Sequence, residues 1–129
     1  MTIALDHFIV SVRNRKAAAR QLAALLDVPW EATSLGRFSA VHINDGLTLD
    51  FIETAEDFPI EHFCFRVDDA TFDAILARLQ DQNIAYKSAP FGPFDHAVST
   101  AFGGRSVYWN VPEGHQWEML AVSYARPST

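Results

Sequence analysis

The chain repeats part of its own sequence, and this repeat restricts the possible folds more than any other feature. The segment LDHFIVSV at residues 5–12 matches IEHFCFRV at residues 60–67 in its acidic residue, its His, its Phe and its last Val. A second pair, VHINDGLTLDFI at 41–52 and VYWNVPEGHQWEML at 107–120, corresponds when the turn glycines are aligned. Because both matches occur in the same order, we predict two copies of one structural module.

Each copy is predicted to contain one strand, one helix and three further strands. Alternating apolar residues predict strands over 3–12 and 60–67. Helical spacing predicts helices over 14–27, with Asn14 as N-cap and Pro29 as the stop, and over 69–82, with Asp68 or Asp69 as cap. The remaining strands are predicted near residues 30–34, 37–43, 47–53, 84–86, 106–111 and 115–122.

The turn sequences Asn44-Asp45-Gly46 and Pro112-Glu113-Gly114 predict hairpins between neighbouring strands. A long loop is expected over residues 88–104, and loops of this length tend to be functional. The sequence therefore predicts one α+β domain over residues 1–129. Its modules span about 1–54 and 60–124, joined by a linker at 54–59.

Strand alternation predicts that one His and one acid of each module lie on the sheet face opposite the apolar residues. His7 lies opposite the apolar face of Phe8, Val10 and Val12, and His62 lies opposite Phe63 and Phe65. Asp50 and Glu118 occupy equivalent places in the last strand of each module. If a pseudo-two-fold axis relates the modules, His7, His62, Asp50 and Glu118 converge on it. Two imidazoles with carboxylates suit a divalent metal.

Three segments resemble the vicinal oxygen chelate superfamily, which includes glyoxalase I, fosfomycin-resistance proteins, bleomycin-resistance proteins and extradiol dioxygenases. They are LDHF at 5–8, EHFCFRV at 61–67 and GGRSVYWNVPEGHQWEML at 103–120. The resemblance implies two βαβββ modules whose eight strands form a cupped, incomplete barrel. It also implies His7, His62 and Glu118 as metal ligands. Asp50 falls where glyoxalase I has a fourth ligand, a longer Glu, and is expected either to bind the metal or to lie beside it.

The resemblance implies an enzyme that uses one Fe, Mn, Ni or Zn ion to act on a small molecule with two neighbouring oxygens. The shorter Asp50 favours a dioxygenase-like reaction over a glyoxalase-like or lyase-like one. Glu118, Tyr108 and His96 are the candidate catalytic residues. The alternative is a protein that binds a drug without catalysis, like the bleomycin-resistance members. These generally lack the metal ligands.

The candidate substrate-binding residues are Arg66, Cys64, Phe94 and Phe102. Arg66 is equally compatible with a surface or ion-pair role. For Cys64, the role of a small buried filler is favoured over that of a cavity-lining residue. His42 and His115 lie beside turns and are expected to be exposed.

Charge and composition exclude several classes of partner. The formal net charge is −6 and no basic stripe is present, which disfavours a nucleic acid or an anionic membrane surface. The single cysteine excludes an internal disulfide and fits a reducing compartment. Because neither a signal peptide nor a membrane-spanning run is recognisable, we expect a cytoplasmic protein. The family resemblance adds the expectation of a homodimer.

Overall fold

The computed structural model describes residues 2–126 and divides into two compact units, Met1–Pro59 and Ile60–Thr129. The first unit contains β1 (His7–Val12), α1 (Arg15–Leu26), β2 (Trp30–Ser34), β3 (Phe38–Asn44) and β4 (Leu47–Glu53). The second contains β5 (His62–Arg66), α2 (Asp69–Asp81), β6 (Tyr86–Lys87), β7 (Ser106–Trp109) and β8 (Gln116–Leu120). The predicted fold class, α+β with two βαβββ modules and eight strands, is confirmed.

The two sheets have the same strand order and the same pairing. The first is ordered β1-β4-β3-β2 and the second β5-β8-β7-β6. In each sheet the first and last strands of the unit pair in parallel, and the other pairs are antiparallel. Asp50 pairs with Ile9, and Glu118 pairs with Cys64, at equivalent places. The sequence repeat is therefore also a repeat of register.

Both helices begin at the predicted caps. Asn14 accepts a hydrogen bond from the Ala17 amide at 3.1 Å, and Asp68 accepts one from the Thr71 amide at 2.7 Å. The first helix ends at Leu26, before the expected stop at Pro29. It ends there because Asp27 adopts a left-handed conformation with φ of 56° and its amide bonds to a carbonyl of the last turn.

The first strand is shorter than the sequence predicts. It begins at His7 instead of residue 3, and residues 2–6 are exposed. Val10 and Val12 are fully buried as expected, whereas Phe8 is 38% exposed. The apolar face is therefore complete only in the second half of the strand. α1 packs against β2, β3 and β4 of the same unit.

The core of the second unit is aromatic. Trp109, Trp117 and Met119 are fully buried, and the Phe63 ring stacks on Trp117 at 4.8 Å between centroids. These side chains fill one face of the sheet, so the opposite face carries the polar residues of the candidate site. Neither helix within residues 2–126 has the length and apolarity needed to cross a membrane.

Both predicted hairpins are present. In the first, the Asn44 side chain accepts a hydrogen bond from the Gly46 amide at 2.8 Å. In the second, Gly114 has a φ of 80°, which glycine adopts without steric cost. The peptide bond before Pro112 is cis. The long loop begins after β6 and is interrupted by one β-bridge between Ser99 and Ser106.

Candidate functional site

A row of three polar side chains crosses the sheet of the second unit. Glu118 lies on the central strand β8, directly opposite Cys64 on β5 and Tyr108 on β7. Residues directly opposite each other in neighbouring strands share a face, so the three side chains stand together. Glu118 is fully buried. A buried carboxylate needs hydrogen-bond donors or a cation, because taking it out of water is costly.

Three polar side chains lie around Glu118. His62 Nε2 lies 3.0 Å from Glu118 Oε1. The Tyr124 hydroxyl donates to both carboxylate oxygens, at 2.7 Å each, and Cys64 lies directly opposite Glu118 in the sheet. Among residues 2–126, His62 is the basic side chain within ion-pair distance of this carboxylate.

The neutral donors around Glu118 hold their protons firmly. Partial desolvation of the Cys64 thiol, and then the Glu118 charge, raise the pKa of Cys64 to about 12. Burial is also the main cause that raises the pKa of Tyr124 and the pKa of Tyr108, with the Glu118 charge adding to it. The Tyr124 hydroxyl also lies 3.4 Å from that of Tyr108. At neutral pH these groups therefore offer hydrogen bonds and no positive charge.

Two cavities open beside this carboxylate. One, of about 310 Å³, is lined by His62, Cys64, Arg66, Glu118, Leu120, Ser123, Tyr124 and Ala125. The other, of about 500 Å³, is lined by Ile60, Glu61, His62, Pro90, Phe91, Tyr108, Gln116 and Tyr124. His62 and Tyr124 border both cavities. These volumes lie at the lower end of the range found for small-molecule sites.

The first unit carries the other two predicted ligands. His7 Nδ1 lies 2.8 Å from Asp6 Oδ2, and this hydrogen bond is the main cause that raises the pKa of His7. The Asp50 charge contributes to the same rise. Asp50 is half-buried and lies on the face of the sheet that carries His7. The structure therefore groups His7 with Asp50 in one unit and His62 with Glu118 in the other.

Over residues 2–126, no group of three or more His, Cys, Asp or Glu side chains is arranged to hold a metal ion. The convergence of His7, His62, Asp50 and Glu118 on one metal stays a prediction.

The other predicted site residues fall into two groups. Arg66 and Cys64 line the smaller cavity, and the Phe102 ring packs 5.0 Å from that of Tyr124. By contrast, the exposed His96 packs against Tyr86 at 4.8 Å between ring centroids. Phe94 lies 4.9 Å from the Lys87 ammonium group. Neither His96 nor Phe94 is among the residues that line the two cavities.

Two expectations about burial were wrong. Cys64 is exposed and is not a buried filler, because its face of the sheet borders a cavity. His115 is fully buried and not exposed, since its Nδ1 accepts a hydrogen bond from the Glu61 amide at 3.0 Å. His42 is half-buried and hydrogen-bonds to Thr48 and Glu31.

Sequence reasoning missed Tyr124, which makes the shortest contacts with Glu118. It follows the last strand in an irregular segment, where alternation gives no information about direction. A Tyr shortly after a strand that carries a buried acid is the one signal present in the sequence.

Comparison with solved structures finds relatives that match along nearly the whole chain. Oxidase ChaP-H2 is 31% identical with a TM-score of 0.89, covering 96% of this chain and 97% of its own. Oxidase ChaP-H1 is 32% identical with a TM-score of 0.87, covering 97% of this chain and 100% of its own. The fosfomycin resistance protein FosX from Mesorhizobium loti shares the fold at 20% identity, with a TM-score of 0.69 and coverage of 97% of both chains. No protein-family model and no curated protein sequence matches the chain.

Proposed function

The chain belongs to the vicinal oxygen chelate superfamily, and from this premise we propose that it is a divalent-metal-dependent enzyme that oxidises a small molecule with two neighbouring oxygens. The whole-length similarity to two proteins described as oxidases supports oxidation over lyase or isomerase chemistry. The shorter Asp50, in the place of a glyoxalase I Glu, supports the same choice.

The observation that carries this proposal is the buried Glu118 beside His62 in the wall of a cavity. Carboxylate oxygen and imidazole nitrogen are donors that suit Fe, Mn, Ni and Zn. Their atoms already lie 3.0 Å apart and share a hydrogen bond. A divalent cation would supply the positive charge that the neutral donors around Glu118 lack. The residues of the second unit therefore fit a metal ion.

His7 would be the third ligand and Asp50 a fourth ligand or a close neighbour. The hydrogen bond from His7 Nδ1 to Asp6 leaves Nε2 available to a metal, an arrangement common among metal-binding histidines. When bound, the ion would supply Lewis-acid stabilisation of charge that develops on the substrate oxygens.

The remaining residues of the site would orient the Glu118 carboxylate and contact a bound substrate. Tyr124 holds both oxygens of Glu118 and so fixes the direction of the carboxylate. Tyr108 offers a protonated hydroxyl at the border of the larger cavity. Ile60, Pro90 and Phe91 give that cavity apolar side chains that a bound substrate would contact.

Metal titration of the purified, metal-stripped protein tests this proposal. We expect about one Mn²⁺ or Fe²⁺ per chain, and an affinity loss of more than about 100-fold in His62→Ala and Glu118→Gln. His96→Ala is the matched control, because His96 lies outside both cavities, and it should bind metal like the wild type.

Oxygen uptake by the Fe²⁺-loaded protein across a panel of catechols then tests the reaction. Uptake that Glu118→Gln abolishes supports an oxidase. Metal binding without uptake would overturn oxidation in favour of a lyase or isomerase. A wild type that binds none of Fe, Mn, Ni and Zn would instead favour a non-catalytic binding protein.

A further inference from the structure

The two cavities of the second unit meet at His62 and Tyr124. The larger has apolar walls from Ile60, Pro90 and Phe91, whereas the smaller holds Cys64, Arg66 and Ser123 beside Glu118. A ligand whose oxygens reach His62 therefore has the apolar side chains Ile60, Pro90 and Phe91 on one side and the Arg66 guanidinium on the other. The substrate that fits both cavities has an apolar body and a charged end.

The wall of the larger cavity is fixed by hydrogen bonds. The Gln116 side chain donates to the Pro90 carbonyl at 3.1 Å and accepts from Asn110 at 2.8 Å. This pair of bonds joins the loop at Pro90 to the strand that carries Glu118. The apolar space is therefore part of the folded unit and exists before a ligand binds.

Arg66 brings a positive charge into the smaller cavity. It pairs with Leu120 in the sheet and, within residues 2–126, its guanidinium has no hydrogen-bond or ion-pair partner. Leu120 and Ala125, which line the same cavity, offer it no charge. The equivalent residue in the first unit is Ser11, so the positive charge at position 66 is not a feature that the two modules share.

Glu118 is not the ion-pair partner of Arg66. Glu118 pairs with Cys64, two residues before Arg66, which is a separation of about 7 Å along a strand. The carboxylate oxygens are already held by His62 and Tyr124. Arg66 therefore presents its donors to the cavity, in the planar arrangement that matches an anionic oxygen group.

We propose that Arg66 binds an anionic oxygen group of the substrate, a carboxylate in the simplest case. The substrate is then an acid whose apolar body occupies the larger cavity and whose charged end occupies the smaller one. Placing its reacting oxygens at His62 rests on the proposed function. Recognition of the charge by Arg66 does not require a metal.

A pair of probes that differ in charge tests this assignment. Protocatechuate and its neutral methyl ester are titrated into metal-free protein, and binding is followed by calorimetry. We expect the wild type to bind the acid about tenfold or more tightly than the ester. Arg66→Gln should reduce the affinity for the acid to that for the ester. Arg66→Lys should keep part of the preference, because lysine retains the charge without the planar pair of donors.

Arg78→Gln is the matched control, since it removes one charge from the same unit and lies outside both cavities. It should preserve the preference for the acid. Equal affinity of the wild type for acid and ester would overturn the proposal. The proposal would also be overturned if Arg66→Gln lost affinity for the acid and the ester equally, or if the wild type bound neither probe at millimolar concentration.

Failure of the proposed function has a different signature. If metal titration shows no binding but the preference for the acid is intact, the proposed metal-dependent function is wrong and the proposed anion site is supported. If metal binding is normal but the wild type shows no preference for the acid, only the proposed anion site is wrong.

Discussion

At the scale of single residues, the site depends on how a buried carboxylate is kept in place. Glu118 is fully buried on a central strand, and each of its carboxylate oxygens accepts a hydrogen bond from the Tyr124 hydroxyl. Cys64 and Tyr108 flank it in the same row of the sheet. Because Glu118 is buried away from water, the removal of one of its donors leaves part of its acceptor capacity unsatisfied.

Tyr124→Phe tests this dependence directly. The change removes only the hydroxyl, so both oxygens of Glu118 lose their shortest contact, and we expect the free energy of unfolding to fall by about 2 kcal/mol. Urea unfolding of the metal-free protein at neutral pH measures this loss. Tyr86→Phe is the control, because within residues 2–126 the Tyr86 hydroxyl accepts a bond from the exposed Gln80 and none from a charged group, so its removal should cost less. Equal losses in the two variants would show that Tyr124 does not support the carboxylate.

The residues that could be predicted from the sequence are those on regular strands. Alternation with a period of two placed His62, Cys64 and Glu118 on one face, and the pairing confirms it. The same rule says nothing about Tyr124, which follows the last strand. The expectation that a residue beside a turn is exposed was wrong for His115, whose side chain is buried and accepts a hydrogen bond from the Glu61 amide.

At the scale of elements, the repeat provides two helices that begin alike with caps of different charge. Asn14 caps α1 and Asp68 caps α2, each accepting a hydrogen bond from the amide three residues later. The hydrogen bond from the Thr71 side chain is the main cause that lowers the pKa of Asp68, and the bond from the Thr71 amide adds to it. A neutral cap and an ionisable cap thus occupy equivalent places in one chain.

These caps predict different responses to acid. Because the pKa of Asp68 is lower in the folded state, its stabilisation is present above the unfolded pKa and is lost as the pH falls through the folded value. Asp68→Asn keeps a cap and should flatten this part of the stability profile between pH 5 and the folded pKa. Asn14→Ala should cost about 1 kcal/mol at every pH in that range. Urea unfolding across this range is the measurement, and an unchanged pH profile in Asp68→Asn would contradict the prediction.

Element boundaries were predictable where local chemistry decides them. Asn44-Asp45-Gly46 and the strand at Leu47–Glu53 appear as the sequence indicates. The start of β1 was not predictable from local pattern. Residues 3–6 continue the apolar alternation, yet pairing with β4 begins only at His7, opposite Thr48. Propensity alone does not supply a pairing partner.

At the scale of the whole molecule, the repeat preserves register while its two copies carry different chemistry. The row Cys64, Glu118 and Tyr108 in the second unit corresponds to Ile9, Asp50 and Ala40 in the first. The first unit therefore keeps the acid and the histidine but lacks the surrounding donors. If the two modules share one metal, the second would contribute an enclosed carboxylate and the first an accessible imidazole.

The prediction that remains to be tested at this scale is that His7 binds the same metal as His62 and Glu118. A metal that binds only the folded protein raises its stability, by about 2.7 kcal/mol at a concentration 100 times the Kd. For a chain of this length the melting temperature should rise on the order of 10 °C. If the two modules share the ion, His7→Ala should remove this rise as completely as His62→Ala does, although the two residues lie in different units.

His42→Ala is the matched control for that measurement. His42 belongs to the first unit, but its ring is already bonded to Thr48 and Glu31, so its loss should leave the metal-dependent rise intact. Thermal melting of the metal-stripped and Mn²⁺-loaded forms of each variant measures the effect. Because the comparison uses the difference between the two forms, any general loss of stability from the substitution cancels. A full metal-dependent rise in His7→Ala would mean that the second unit binds its ion without the first, and that the pseudo-two-fold arrangement of the ligands is wrong.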